Sequence, residues 1–259
     1  MKIAPFVGLI VLVLCSMIGV AEADIMVVVP LSDTAIEGNS DNFFPFSAIP
    51  PVAPSMRYQQ VYGATDFVPA VLFGPQYITQ VAFRPDGDFR FANAFSSTIS
   101  SIQIDLSTTS TAPDGLSTTF ANNVGADDTV VFPKGPLPLS SSDTGPARGP
   151  KDFDIVVNLQ TPFRYDPTQG NLLLDVRNFS GGETTGFDAE ATPGDTVSRV
   201  YADDVTASVG TTDTIGLVTR FTFGAAPVVP EPPTGALVGV GAGMMFAYRS
   251  LWTRRRRGR

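Results

Sequence analysis

Histidine is absent from this 259-residue chain, and cysteine occurs once, at Cys15. Those two absences remove several chemistries at once. There is no imidazole for a Ser-His-Asp triad or a Cys-His dyad, and no thiolate and imidazole set for an ordinary zinc site. Tryptophan also occurs once, at Trp252, so phenylalanine must carry the aromatic packing elsewhere. Charged side chains make up only 16% of the chain, and Ser, Thr, Gly and Asn take over the surface that charge would otherwise cover. The run Gly239-Val240-Gly241-Ala242-Gly243 lies inside an apolar span, not between a strand and a helix, so it is no phosphate cradle. Between residues 24 and 229 no amphipathic segment reaches helical length, and no repeat recurs at a period of about 20–50 residues.

What is present is most distinctive at the two ends. Lys2 gives a positive start, Phe6 to Leu14 form an apolar run, and Ala21-Glu22-Ala23 is a small-x-small cleavage site. This is the order of a secretory signal peptide over residues 1–23, and it sets the mature start at Asp24. A retained membrane helix explains the apolar run but not the well-placed Ala21 and Ala23. Leu14 stands where a lipoprotein signal needs a small residue before its cysteine, so Cys15 is not a lipidation site. Removal of the signal leaves no cysteine, and therefore no disulfide, in a compartment that would permit one.

The other end reads Pro230-Glu231-Pro232-Pro233, then Thr234 to Tyr248 without a charge, then Arg249 and the cluster Arg254, Arg255, Arg256, Arg257 and Arg259. Prolines keep the backbone extended and accessible to a protease. The uncharged stretch can enter a membrane if it borrows its flanks, and its glycines are better tolerated there than in water. The arginines resist crossing and stay on the cytoplasmic side. An ordinary single-pass anchor accounts for the span and the arginines but not for Pro-Glu-Pro ahead of them. In all three parts, residues 230–259 resemble the PEP-CTERM sorting signal of bacterial exported proteins. The resemblance implies recognition by an exosortase, a membrane-embedded cysteine transpeptidase. That enzyme would cut near Pro230, Glu231 and Pro232 and release the body to the cell surface or extracellular matrix.

Once the signal (with Lys2 and Glu22) and the tail (with six arginines and Glu231) are set aside, residues 24–229 keep 10 basic and 23 acidic residues, a net charge of −13. Such a body repels phosphates, so nucleic acid is excluded as a partner. Its length suffices for one domain with a core.

Period-two alternation dominates that body. Ile102, Ile104 and Leu106 alternate with Gln103 and Asp105. Phe153 to Leu159, Leu172 to Val176 and Ile215 to Phe223 alternate likewise. Weaker strand candidates are residues 25–29, 57–62, 77–84, 118–120, 129–132 and 197–201. Turn signals such as Pro113-Asp114-Gly115, Pro167-Thr168-Gln169-Gly170 and Pro193-Gly194-Asp195 separate them. One-sided strands without intervening helices predict an all-β antiparallel sandwich, with a jelly roll as the expected topology and a closed barrel as the alternative. The expected organisation is an irregular N-terminal segment over 24–54, the sandwich over 55–224 and a proline-rich linker over 225–233. A transmembrane helix with its basic tail then occupies 234–259. The Pro-, Gly- and Ser-rich stretch 134–150 is expected to be a long surface loop. Arg57 to Tyr62 and Gly170 to Asp175 also resemble uncharacterised domains that often precede such sorting tails, which implies one β domain and no known activity.

The chemistry left to this body is that of carboxylates. Paired Asp or Glu side chains suffice for glycoside hydrolysis, but 23 acids make availability uninformative, and many stand beside Gly or Pro in solvated turns. Calcium is the one cofactor the acids leave open, at no defined position. Asp86, Asp88, Asp127, Asp128, Asp152, Asp154, Asp188, Glu190, Asp203 and Asp204 are candidate oxygen donors. None fits the twelve-residue helix-loop-helix pattern, because Ser97 stands where its final glutamate belongs. Sugar stacking would use Tyr58, Tyr62, Phe67, Tyr77, Tyr165 or Tyr201, and core packing is the favoured reading of those rings. The sequence thus predicts a non-enzymatic, exported surface or matrix protein with a structural or adhesive role beside exopolysaccharide. A carbohydrate-active or carbohydrate-binding protein using paired carboxylates is the alternative.

Overall fold

The structure is a computed structural model that describes residues 24–47, 54–71, 76–87, 93–147 and 149–224. Ala21, Ala23, the Pro-Glu-Pro motif, the apolar span and the arginine cluster lie outside those residues. Among the described residues no helix is long and apolar enough to cross a membrane.

The body is all-β and wholly antiparallel. One sheet has the order β1 (Ile25–Val29), β13 (Thr219–Gly224), β4 (Gln76–Phe83) and β7 (Ile155–Tyr165). A second has the order β11 (Thr211–Asp213), β10 (Val197–Ala202), β3 (Met56–Tyr62), β8 (Asn171–Asn178), β5 (Phe95–Thr109) and β6 (Thr129–Ser141). A third, small sheet joins β12 (Gly216–Leu217), β9 (Phe187–Glu190) and β2 (Ser40–Asn42). Numbered along the chain with β2 and β9 to β12 left out, the first strand pairs the last, the second pairs the penultimate, and so on inward: β1 with β13, β3 with β8, β4 with β7, β5 with β6.

The alternation visible in the sequence places the core. Val27, Val29, Ile78, Val81, Phe83, Ile155, Val157, Phe221 and Phe223 come from the four-stranded sheet. Tyr58, Tyr62, Ile102, Ile104, Leu106, Leu172, Leu174, Val176 and Val197 come from the six-stranded one. All belong to a single buried cluster, so the two sheets bury their apolar faces against each other. Phenylalanine fills the role that tryptophan leaves open. Phe67, on a 3-10 segment over Ala64–Val71, packs edge-on against Tyr165 at 5.0 Å and Phe221 at 5.2 Å between ring centroids. The polar groups in this core are satisfied. The Gln60 side chain donates to Leu217 O at 2.9 Å and accepts from Leu217 N at 2.8 Å, and the Tyr62 hydroxyl meets Thr219 Oγ1 at 2.9 Å.

Three expectations change. Residues 24–47 are not irregular: β1 is a strand of the four-stranded sheet and β2 of the small one. Residues 134–141 belong to β6, so the loop over 134–150 is confined to residues 142–154. β6 is an edge strand, and its exposed Pro136 and Pro138 alternate with the buried Leu137 and Leu139. An edge strand tolerates proline where the missing N–H would face water. Finally, residues 118–120 form no strand. Thr119 makes a single bridge to Val209, and a 3-10 turn follows over Phe120–Asn122.

Candidate functional site

The outer face of the six-stranded sheet holds the densest group of titratable side chains. It is built by the residues that alternate with the core: Arg57 and Gln59 on β3, Asp175 and Arg177 on β8, Gln103 and Asp105 on β5. Register sets Asp105 directly opposite Asp175, and Asp175 opposite Gln59. Like charges so placed repel. The segment between β5 and β6 crosses this face and seals it. Phe120 and Asn123 are fully buried there. Asn123 Nδ2 donates to Gln59 Oε1 at 3.0 Å, Gln59 Nε2 donates to Phe120 O at 3.2 Å, and the Arg57 guanidinium lies 4.6 Å from the Phe120 ring centroid.

The two carboxylates differ in their surroundings. Asp175 Oδ2 accepts from Gln59 Nε2 at 2.7 Å and from Arg57 Nη2 at 3.1 Å. Its Oδ1 accepts no hydrogen bond and stands 4.0 Å from Arg177 Nε. Asp105, only 2% exposed, receives nothing but the Gln103 amide, at 2.9 and 3.0 Å. Burial pushes the Asp105 carboxyl up to about 6, with Asp128 and Asp175 adding repulsion. The same burial and the charge of Asp175 raise Asp128, which lies at the exposed margin.

A second ionic group joins the end of β4 to β9. Arg84 Nε donates to Asp188 Oδ2 at 2.6 Å, with both side chains essentially inaccessible. Arg84 Nη2 donates to the carbonyls of Asp33 at 2.9 Å and Ile36 at 2.6 Å, and Asp188 Oδ1 accepts from Gly38 N at 2.9 Å. Burial raises the Asp188 carboxyl to about 7 against the pull of Arg84. Every oxygen of Asp188 has a partner, which makes this pair a clamp holding the segment 33–38 against the body.

A shallow pocket of about 210 Å³ is lined by Asp114, Leu116, Ser198, Arg199, Thr212, Asp213 and Thr214. Arg199 fills much of its chemistry itself. It donates twice to Asp213, at 2.8 and 2.9 Å, once to Asn42 Oδ1 at 2.6 Å, and lies 4.7 Å from the Tyr201 ring centroid. The volume is below the range of about 300–1,000 Å³ in which small-molecule sites fall.

The residues singled out in the sequence do not converge. Asp127 Oδ1 caps Thr108 N at 2.7 Å, Asp154 Oδ2 accepts from Ser142 N at 2.8 Å, and Asp204 Oδ1 accepts from Thr206 N and Oγ1, both at 2.8 Å. Asp86, Asp188 and Glu190 are buried, and Asp88 lies outside the described residues. Among the described residues no three His, Cys, Asp or Glu side chains gather as a metal would require. Of the six candidate stacking rings, Tyr58, Tyr62, Phe67 and Tyr165 are wholly buried, while Tyr77 and Tyr201 are half-exposed. Sequence reasoning passed over Arg57, Asp105 and Asp175 because they occupy the polar half of alternating strands, the half ordinarily given to water. The usable signal is that the expected partner of each is charged or amide-bearing too. No family model matches this chain, and no curated protein does.

Proposed function

We propose that this chain is an exported protein of the cell surface or extracellular matrix, sorted by a PEP-CTERM signal and processed by an exosortase. Its body is then a jelly-roll β-sandwich with a structural or adhesive role beside exopolysaccharide. The nested strand pairing supports the jelly roll. One observation carries the structural role: the side chains able to do chemistry are spent on the fold. Tyr58, Tyr62, Phe67 and Tyr165 lie in the core. Arg57, Arg84 and Arg199 pair with Asp175, Asp188 and Asp213. Each pair removes one charge of either sign, so the net charge of −13 of residues 24–229 stays with the remaining side chains, which favours solubility outside the cell.

The sorting reading rests on the two ends of the sequence, and mass spectrometry of protein extracted from the cell surface tests it. The expected species begins at Asp24 and has lost residues 234–259, the membrane helix and the arginines with them. It also has no tryptophan, since Trp252 goes with the tail. A species that keeps residues 234–259 in cells with an active exosortase makes this an ordinary anchor. A species that keeps Met1 removes the signal assignment.

The second reading is a carbohydrate-active protein using paired carboxylates, and one observation favours it. Asp105 and Asp175 face each other across β5 and β8, one raised by burial and the other paired with Arg57, two carboxyl groups in unlike surroundings. Against it, both carboxylates are buried, Asp105 to 2% and Asp175 to 3% exposure, so no substrate reaches them in this structure. Hydrolysis of a soluble glycan that is lost in Asp105→Asn with the fold retained would establish this reading over the structural one.

A further inference from the structure

We infer that the outer face of the four-stranded sheet is the surface on which the body binds an extended, neutral, β-linked glycan; the inference rests on the exopolysaccharide reading and gives it a place. The first observation is compositional. β1, β13, β4 and β7 contain no Asp or Glu at any position, in a body that carries 23 acids. The other two sheets contain Asp105, Asp175, Asp213, Asp41, Asp188 and Glu190. The strands of this face therefore carry no negative charge of their own, and the acids nearest to them, Asp24, Asp152 and Asp166, stand at its margins.

The second observation is geometric. Register aligns Met26, Thr222, Gln80 and Asn158 in one row across the four strands. Thr222 Oγ1 donates to Gln80 Oε1 at 3.3 Å, and Gln80 Nε2 donates to Asn158 Oδ1 at 2.9 Å. The relay fixes both amides in orientation, with Asn158 exposed and Gln80 half-buried, so little order has to be gained on binding. Groups that both donate and accept match sugar hydroxyls. The row repeats at the strand spacing of about 4.8 Å, comparable with the advance of one sugar ring along an extended chain. Tyr77, half-buried on the same face, stands between Gly224 on β13 and Arg164 on β7, with the Asp24 carboxylate beside the glycine. It supplies the apolar platform on which a pyranose stacks. The glycan is assigned as neutral because the cations here are few. Arg220 is engaged by Phe153 O at 3.1 Å, which leaves Arg164 exposed at the margin against a body of net negative charge.

Electrophoresis of the mature protein through native gels containing hydroxyethylcellulose, glucomannan or alginate tests this. Retardation is expected in one or both neutral gels and not in alginate. Tyr77→Ala and Gln80→Ala should each weaken it by roughly three- to ten-fold, the effect of losing one good contact. Asn158→Ala, at an exposed position, supplies the same test if either variant fails to fold. Retardation that survives all three substitutions overturns the assignment of this face while leaving the polysaccharide reading intact. Retardation in alginate alone overturns the neutral assignment. No retardation in either neutral gel overturns the inference and removes the exopolysaccharide role from the proposed function.

Discussion

The two large sheets share one core and differ on their backs. The six-stranded sheet turns Arg57, Gln59, Asp105 and Asp175 outward, with Phe120 and Asn123 packed on Arg57 and Gln59 and both aspartates buried. The four-stranded sheet turns Thr222, Gln80, Asn158 and Tyr77 outward, with Thr222 buried, Gln80 and Tyr77 half-buried and Asn158 exposed. Acidic side chains are thus concentrated on the covered face and missing from the strands of the other, whose charges are Arg164 and Arg220. A buried carboxylate must find partners or change its protonation, so the covered face is committed to holding the fold. The open face has no such obligation, and what its side chains do is free to be recognition.

Substitutions sharpen that contrast in order of size. The largest loss is expected where the end of β4 meets the small sheet. Arg84→Met leaves Asp188 buried without its cation and should cost about 3–5 kcal/mol, read by urea denaturation. A loss under 1 kcal/mol would mean that Asp188 is already protonated in the folded protein. Next, Asp175→Ala strips the Arg57 guanidinium and the Gln59 amide of their shared acceptor beneath Phe120, and should cost about 3 kcal/mol.

Asp105→Asn works in the opposite direction and depends on pH. Burial raises this carboxyl to about 6 in the folded protein, above its value of about 3.9 in the unfolded chain. The folded state therefore binds more protons between those values, and stability falls as pH rises through that window. The cost is fully present above about pH 6 and absent below about pH 4. The amide should raise the melting temperature by a few degrees at pH 8 and leave it unchanged at pH 4, by differential scanning calorimetry. An equal gain at both pH values would trace the effect to packing. The smallest effect is expected on the open face, where Asn158→Ala should change stability by no more than about 0.5 kcal/mol. A loss as large as that of Asp175→Ala would erase the distinction between the two faces.

How much of this was legible in the sequence follows from what alternation encodes. It marks the apolar half of β3, β5, β7, β8 and β13 and thereby the core. It does not say whether the other half meets water or protein. Alternation alone therefore leaves Asp105 and Asp175 on the half ordinarily given to water, although both are buried. β9 escaped because Phe187 to Glu190 is only four residues long and its polar half, Asp188 and Glu190, reads as loop oxygen donors, whereas all four residues are buried. The start of β6 is among the strand candidates at 129–132, but its continuation escaped because Pro136 and Pro138 signal a loop, and only the strand order reveals that they lie on an edge. The absence of acids from β1, β4, β7 and β13 was in plain view, yet it gains meaning only once those four strands are known to be neighbours.

Hydrogen exchange read by mass spectrometry, with and without glucomannan, bears most directly on the claim that one face holds the fold and the other meets the partner. Added protection is expected in peptides from β1, β4, β7 and β13, with β5, β8 and the covering segment at Phe120 to Asn123 unchanged. Protection confined to that covering segment, or none anywhere, would contradict the account.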